Sequence, residues 1–287
     1  MKIPKGLQPL IDDGLVDEVI RPLKSGKEAS VYLVRCGAHI RCAKVYKAIE
    51  QRSFQRLAEY QEGRKTRNSR DQRALGKRSK HGRNVQQSAW KNAEVDALYR
   101  LDAVGVRVPK PHGYVDGVLL MEVITDPDGN AAPRLNDVVP TADQARAWHG
   151  LLMAQIVRML CAGLIHGDLS EFNVLVGADG LVIIDLPQAV DAAGNNNAFR
   201  MLARDVNNIR AYCGRFAPEL LATDYAHEIW NLFENNRLRP DSALTGVFVH
   251  KAEAADVDGV MRHIDDAREE ALRRQRGREA AAAGLND

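Results

Sequence analysis

The chain is poor in cysteine and arranges none of it for chemistry. Cys36, Cys42, Cys161 and Cys213 form no CxxC pair and no Cys/His cluster at metal spacing. That argues against a zinc site or a disulfide framework and for reduced, mostly buried thiols. No run approaches the ~20 apolar residues of a membrane-spanning helix. Met1-Lys2-Ile3-Pro4 is not followed by an apolar leader segment. The expectation is a soluble, cytoplasmic protein with no membrane partner. Net charge is only +2, so local charge bias carries more information than the total. GxGxxG, Walker A and internal repeats are all missing. What is present is substantial. Apolar residues make up 45% of the chain, which permits a real core and excludes global disorder. The 287 residues suffice for two lobes around a cleft.

Leu7, Leu10, Ile11, Leu15, Val16 and Ile20 predict a short helical prelude. Alternation in Val31–Arg35 and Ile40–Tyr46, either side of Cys36-Gly37-Ala38-His39, predicts a β-hairpin. Helical spacing returns at Trp90, Ala93, Ala97, Leu98 and Leu101, and Gly117–Ile124 reads as a buried strand. Thr141 with Gln144 is a capping-box signature. It opens a long helix with Ala147, Leu151, Leu152, Ile156, Met159 and Leu160 as its apolar face and Gly163 as its stop. Short strands Val174–Val176 and Leu181–Ile184 follow. The expected organisation is a prelude over 1–18 and a β-rich lobe over 19–126 carrying a basic flexible loop at 63–89. A mainly helical lobe over 127–250 and a charged helix or tail over 251–287 complete it.

The chemistry concentrates in His166-Gly167-Asp168-Leu169-Ser170-Glu171-Phe172-Asn173, followed by Leu181-Val182-Ile183-Ile184-Asp185. An acid, an amide five residues later, and a second acid leaving an apolar strand are the groups phosphoryl transfer requires. Asp168 is the candidate to orient or deprotonate an attacking hydroxyl, with His166 as a brace for the loop. Asn173 and Asp185 offer hard oxygen ligands to Mg²⁺ or Mn²⁺. Lys44, alone among apolar neighbours in Cys42-Ala43-Lys44-Val45-Tyr46, is placed to reach ATP phosphates. Glu94 is its expected partner, with Asp96 as competitor. Lys24-Ser25-Gly26-Lys27-Glu28-Ala29-Ser30 is where phosphates would lie, through backbone amides around Gly26 and the Ser25 and Ser30 hydroxyls. Met121-Glu122-Val123-Ile124 would supply backbone groups to adenine.

In this order the segments resemble the RIO family of atypical serine/threonine protein kinases, over roughly residues 20–215. The quoted phosphate loop, Lys44-Val45-Tyr46, Pro133-Arg134-Leu135, His166–Asn173 and Ile183-Ile184-Asp185-Leu186-Pro187-Gln188-Ala189-Val190 carry the likeness. Gly167 and Leu186-Pro187 mix features of two branches and suggest a bacterial one. The resemblance implies an α+β, two-lobed kinase-like fold with a small β-rich N-lobe and a mainly helical C-lobe. It also implies loss of the activation segment and peptide-binding helices, and no Asp-Phe-Gly follows Asn173. Implied roles are Asp168 as catalytic aspartate, Asn173 and Asp185 for metal, Lys44 for phosphate, and Ser25 with Lys27 in the phosphate loop. ATP with Mg²⁺ or Mn²⁺, autophosphorylation and unidentified protein substrates are also implied. A first alternative is an ATPase acting as a ribosome-assembly switch through a phospho-Asp185 intermediate. A second is an aminoglycoside-type phosphotransferase, against which Ser170-Glu171-Phe172 argues. Residues 64–83 hold nine Arg or Lys against one Asp and offer phosphate contacts to rRNA. Thr66, Ser69 and Ser79 there are candidate autophosphorylation sites.

Overall fold

Period-two alternation sets the faces of the sheet. In β2 (Ala29–Cys36) and β3 (His39–Tyr46), the pairs Ala29↔Tyr46, Val31↔Lys44 and Leu33↔Cys42 share one side. Ser30↔Val45, Tyr32↔Ala43 and Val34↔Arg41 share the other. With β1 (Glu18–Ser25), β4 (Pro111–Val115) and β5 (Val118–Met121) they form a five-stranded antiparallel sheet, ordered β1-β2-β3-β5-β4. Asp116 (φ 48) and Gly117 (φ 79) make the tight β4–β5 turn, which demands left-handed backbone at both positions.

This computed structural model describes residues 3–26, 29–47 and 93–249. Lys27, the basic loop 63–89 with Thr66, Ser69 and Ser79, Trp90 and the tail 251–287 lie outside the described residues. The described residues through Val247 belong to one compact unit.

The outer face of the sheet is closed locally. A 3₁₀ turn, Lys5–Leu7, and α1 (Gln8–Asp12) bring Leu7 and Leu10 onto Val34, Ala43, Val118 and Leu120. A Cβ on Gly6 would lie 2.5 Å from Val45 Cγ1, so this approach requires glycine. The inner face continues into the main core. Ala29, Tyr46 and Leu119 pack with Val95, Leu98 and Leu101 of α2, whose described part spans 93–103. From there the core runs to Leu152, Met153, Ile156 and Leu160 of α3 (Ala142–Cys161). The helical side is completed by α4 (Ala198–Gly214) and α5 (Tyr225–Glu234). Two strand pairs accompany them, β6 (Leu164–Ile165) with β9 (Val190–Asp191), and β7 (Val174–Gly177) with β8 (Gly180–Ile183). The architecture is α+β, a β-sheet lobe joined to a helical lobe, as expected.

The capping box forms. Thr141 accepts from the Gln144 N–H while the Gln144 side chain accepts from the Thr141 N–H. Gly163, at φ 74, follows the last turn as the stop. The expected apolar face needs correction, because Ala147 is exposed and Leu151 is 52% exposed. The buried stripe runs through Ala145, His149, Leu152, Met153 and Ile156. It was masked by His149, whose ring packs against Tyr225 at 5.2 Å instead of facing water. Among the described residues no helix is long and apolar enough to cross a membrane.

Candidate active site

Between the inner face of the sheet and the helical lobe lies a cleft of about 490 Å³. Ala29, Val31, Cys42 and Leu119 form an apolar roof, and Leu175 and Ile184 line it as well. Such a cavity suits a flat aromatic ligand with a polar tail. Lys24, Lys44, Glu94, Arg134 and Asp185 mark the polar part.

Lys44 is the hub of that part. Strand parity turns it inward, and its ammonium lies 2.5 Å from Glu94 Oε1 and 3.2 Å from Asp185 Oδ1. Tyr46 donates its hydroxyl to the other Glu94 oxygen at 2.7 Å. Glu94 is 4% exposed whereas Asp96 points to solvent, which decides between the competing partners. Burial disfavours the charged Lys44, but the Glu94 and Asp185 carboxylates outweigh it and hold its pKa above the ordinary value. The Tyr46 phenol is pushed far up, first by burial and then by Glu94.

Asp185 sits just past β8 at φ 68, a left-handed conformation that costs a non-glycine residue of order 1 kcal/mol or more. Its side chain is 47% exposed to the cleft. Burial raises its pKa, yet Lys44, by charge and by hydrogen bond, and Arg134 pull it below the usual range, so it stays ionised.

The acid-bearing loop follows β6. Residues Leu164 to Gly167 are buried, Asp168 is exposed, and Leu169 is buried again. The His166 Nδ1 accepts from the Asp168 N–H at 3.3 Å, so its Nε2 carries the proton and donates to the Ile184 carbonyl at 3.1 Å. Burial holds this imidazole neutral by lowering its pKa. It therefore ties the loop to the strand that delivers Asp185. Asn173, itself buried, donates its side-chain N–H to the Asp168 carbonyl at 2.8 Å, which leaves Oδ1 as its acceptor. The Asn173 carbonyl in turn accepts from the Ile184 N–H at 2.9 Å.

A brace from α4 holds the loop from behind, and sequence reasoning missed it. Asp205, fully buried, accepts the Gly167 and Leu169 N–H groups at 2.8 and 2.9 Å. Asn208 donates to the Leu169 carbonyl at 2.9 Å, and Arg204 donates to that of Gly167. Burial lifts the Asp205 pKa to about 7 against the pull of those two N–H bonds. The available signal was an acid on the apolar stripe of α4, between Met201, Leu202, Val206 and Ile209.

Other expected residues fall less neatly. Ser25 and Ser30 pair across β1 and β2 on the face opposite Lys44, their hydroxyls 3.2 Å apart, and neither lines the cleft. The reason is parity, which gives the inward position to Lys24. Gly26 does line the cleft but spends its N–H on the Ala29 carbonyl at 2.9 Å. Lys47, also missed, donates to Ser25 Oγ at 3.0 Å and to the Gly26 carbonyl at 2.7 Å. Met121, Glu122 and Ile124 line the cleft. The Glu122 carboxylate, however, takes a two-pronged Arg107 contact at 2.7 and 2.9 Å and the Lys110 N–H at 3.0 Å. Burial opposes its charge, but Arg107 and that N–H keep its pKa low. Its backbone N–H donates to Lys110, and the Ile124 carbonyl accepts from Ala132.

Among the described residues, no three His, Cys, Asp or Glu side chains gather as a closed metal cage. The donors at hand, the Asp185 carboxylate and Asn173 Oδ1, fit a hard cation that keeps waters or phosphate oxygens as its other ligands.

A sequence profile of the RIO domain matches residues 30–226. The RIO-type serine/threonine-protein kinase Rio1 of Haloferax volcanii is 34% identical over 207 residues, covering 72% of this chain and 67% of that protein. Serine/threonine-protein kinase RIO1 of Chaetomium thermophilum is 31% identical over 221 residues, 71% of this chain but 41% of the relative. The chain thus spans about two thirds of the archaeal protein and well under half of the fungal one. Among solved structures, the Rio2 kinase–ADP/Mg²⁺-phosphoaspartate complex from Chaetomium thermophilum superposes with a TM-score of 0.55. It does so at 22% identity, over 91% of this chain and 75% of that one, a likeness of fold. By profile and by relatives, this chain belongs to the RIO family of serine/threonine protein kinases.

Proposed function

We propose that the chain transfers the γ-phosphoryl group of ATP to serine or threonine hydroxyls, its own among them, using Asp168, Asn173 and Asp185 together with Lys44. The observation that carries this reading is Lys44, a buried ammonium shared by two acids in the wall of a nucleotide-sized cleft. Desolvating the Lys44–Glu94 pair is expensive, and an arriving polyphosphate gives that expense a use. Adenine would lie beneath the apolar roof, meeting the Glu122 carbonyl and the Ile124 N–H at the hinge. The exposed Asp168 would orient the acceptor hydroxyl and take its proton as the new O–P bond forms. The bond from the γ-phosphorus to the bridging oxygen breaks, and ADP leaves with its electron pair. Asn173 Oδ1 and Asp185 would hold Mg²⁺ or Mn²⁺. When bound, such a cation neutralises charge on the phosphate oxygens.

A second reading is favoured by the exposure and ionisation of Asp185. Here the Asp185 carboxylate itself attacks the γ-phosphorus and releases ADP. Water then cleaves the acyl phosphate, making the chain an ATPase switch. One labelling experiment with γ-labelled ATP and Mg²⁺ separates the readings. Hydroxylamine-stable label that disappears in Asp168→Ala supports the kinase. Hydroxylamine-labile label lost in Asp185→Asn supports the switch, and ATP left intact by the wild-type chain sinks both.

A further inference from the structure

Of the loop after β1 only Gly26 is described. The Gly26 N–H is committed to Ala29, and the Ser25 and Ser30 hydroxyls sit on the far face. Cations take the near face instead. The sheet register aligns Lys24 with Val31, Val31 with Lys44 and Lys44 with Leu119. Directly paired residues project to the same side, so these four form one inward row, and all four line the cleft. Two strand spacings separate the Lys24 and Lys44 backbones, on the order of 10 Å. From the other wall comes Arg134, whose backbone bridges Leu175 and whose side chain also lines the cleft. Its charge acts on Lys24, whose pKa is lowered by burial first and by Arg134 next, and on Asp185. Lys44 is satisfied by its two acids, whereas neither Lys24 nor Arg134 forms a salt bridge among the described residues. Two like charges therefore act on each other at the polar part of the cleft, with Asp185 and Asp137 as the nearby acids.

We infer that Lys24 and Arg134 are the opposed jaws of a polyphosphate clamp. Their side-chain charges grip the β- and γ-phosphates of the bound nucleotide. The inference rests on the nucleotide reading of the cleft and adds to it the residues that discriminate by phosphate number. Arginine contributes a fixed fork for phosphate oxygens and lysine a mobile point charge.

The test is calorimetric binding of Mg·ATP, Mg·ADP and adenosine to the full chain and to Lys24→Ala, Lys24→Arg and Arg134→Ala. Each alanine variant should weaken ATP about tenfold while adenosine stays within about twofold. Lys24→Arg should restore ATP binding, and ATP KM should rise in the alanine variants more than kcat falls. ATP affinity unchanged in both alanine variants overturns the clamp, and so does adenosine affinity falling in step with ATP. A wild-type chain that binds adenosine as tightly as ATP sinks the clamp alone. A wild-type chain that binds no nucleotide sinks the kinase reading with it.

Discussion

Lys44 and His149 are buried polar side chains with opposite solutions to burial. Lys44 keeps its charge and surrounds it with acids. Replacing it by methionine strands Glu94, which keeps only the Tyr46 hydroxyl. Breaking a buried pair from one side should cost about 3 kcal/mol, measurable by urea unfolding. The double variant Lys44→Met/Glu94→Leu should recover most of that, because no orphaned charge remains. His149 instead stays neutral. It is 1% exposed, its Nε2 has no hydrogen-bond partner among the described residues, and burial followed by Arg210 lowers its pKa to about 4. The unfolded imidazole, near pKa 6.5, takes its proton first. Stability from this group is therefore complete above about pH 6.5 and drains away as pH falls toward 4. By linkage the loss at pH 5 is about 2 kcal/mol, and His149→Gln should flatten that part of the stability-against-pH curve.

Among the elements, α4 shows how one helix sets the geometry of a loop it does not adjoin in sequence. Asp205→Ala removes the acceptors of two loop N–H groups, Gly167 and Leu169. The cost should be about 2 kcal/mol or more. In turnover assays kcat should fall while the dissociation constant for ATP holds, since Asp205 does not line the cleft. A fall in both together would mean that the brace supports the whole lobe. Local signals were legible in the sequence where one element decides the outcome. The Thr141–Gln144 box needs only its own first turn, and the β2–β3 hairpin needs only alternation around Gly37. Signals that depend on a neighbour were misread or invisible. Ser25 and Ser30 were placed at phosphates because the motif was read along the chain, while strand parity sends them outward. His149 hid the buried stripe of α3, and Asp205 gains its meaning only from a loop 36 residues away. Glu94 over Asp96 was likewise settled by which side of α2 meets the sheet.

For the molecule as a whole, sheet and helical lobe meet along a continuous core, with the cleft at its edge. A ligand that touches both walls should stabilise the folded chain by mass action. Mg·ATP at a hundred times its dissociation constant should add about 2.7 kcal/mol, read as a rise in Tm. EDTA should remove much of that gain from the wild type and little of what remains in Asp185→Asn. Equal EDTA effects in both proteins would free Asp185 of any metal role. The amino-terminal turn behind the sheet has a consequence of its own. Leu7 and Leu10 are wholly shielded, and Gly6 lets them lie flush on the strands. Shortening the chain past Asp13 would peel a greasy strip bare on the side away from the cleft. The shortened protein would then stick to itself while the cleft between sheet and helices stood untouched.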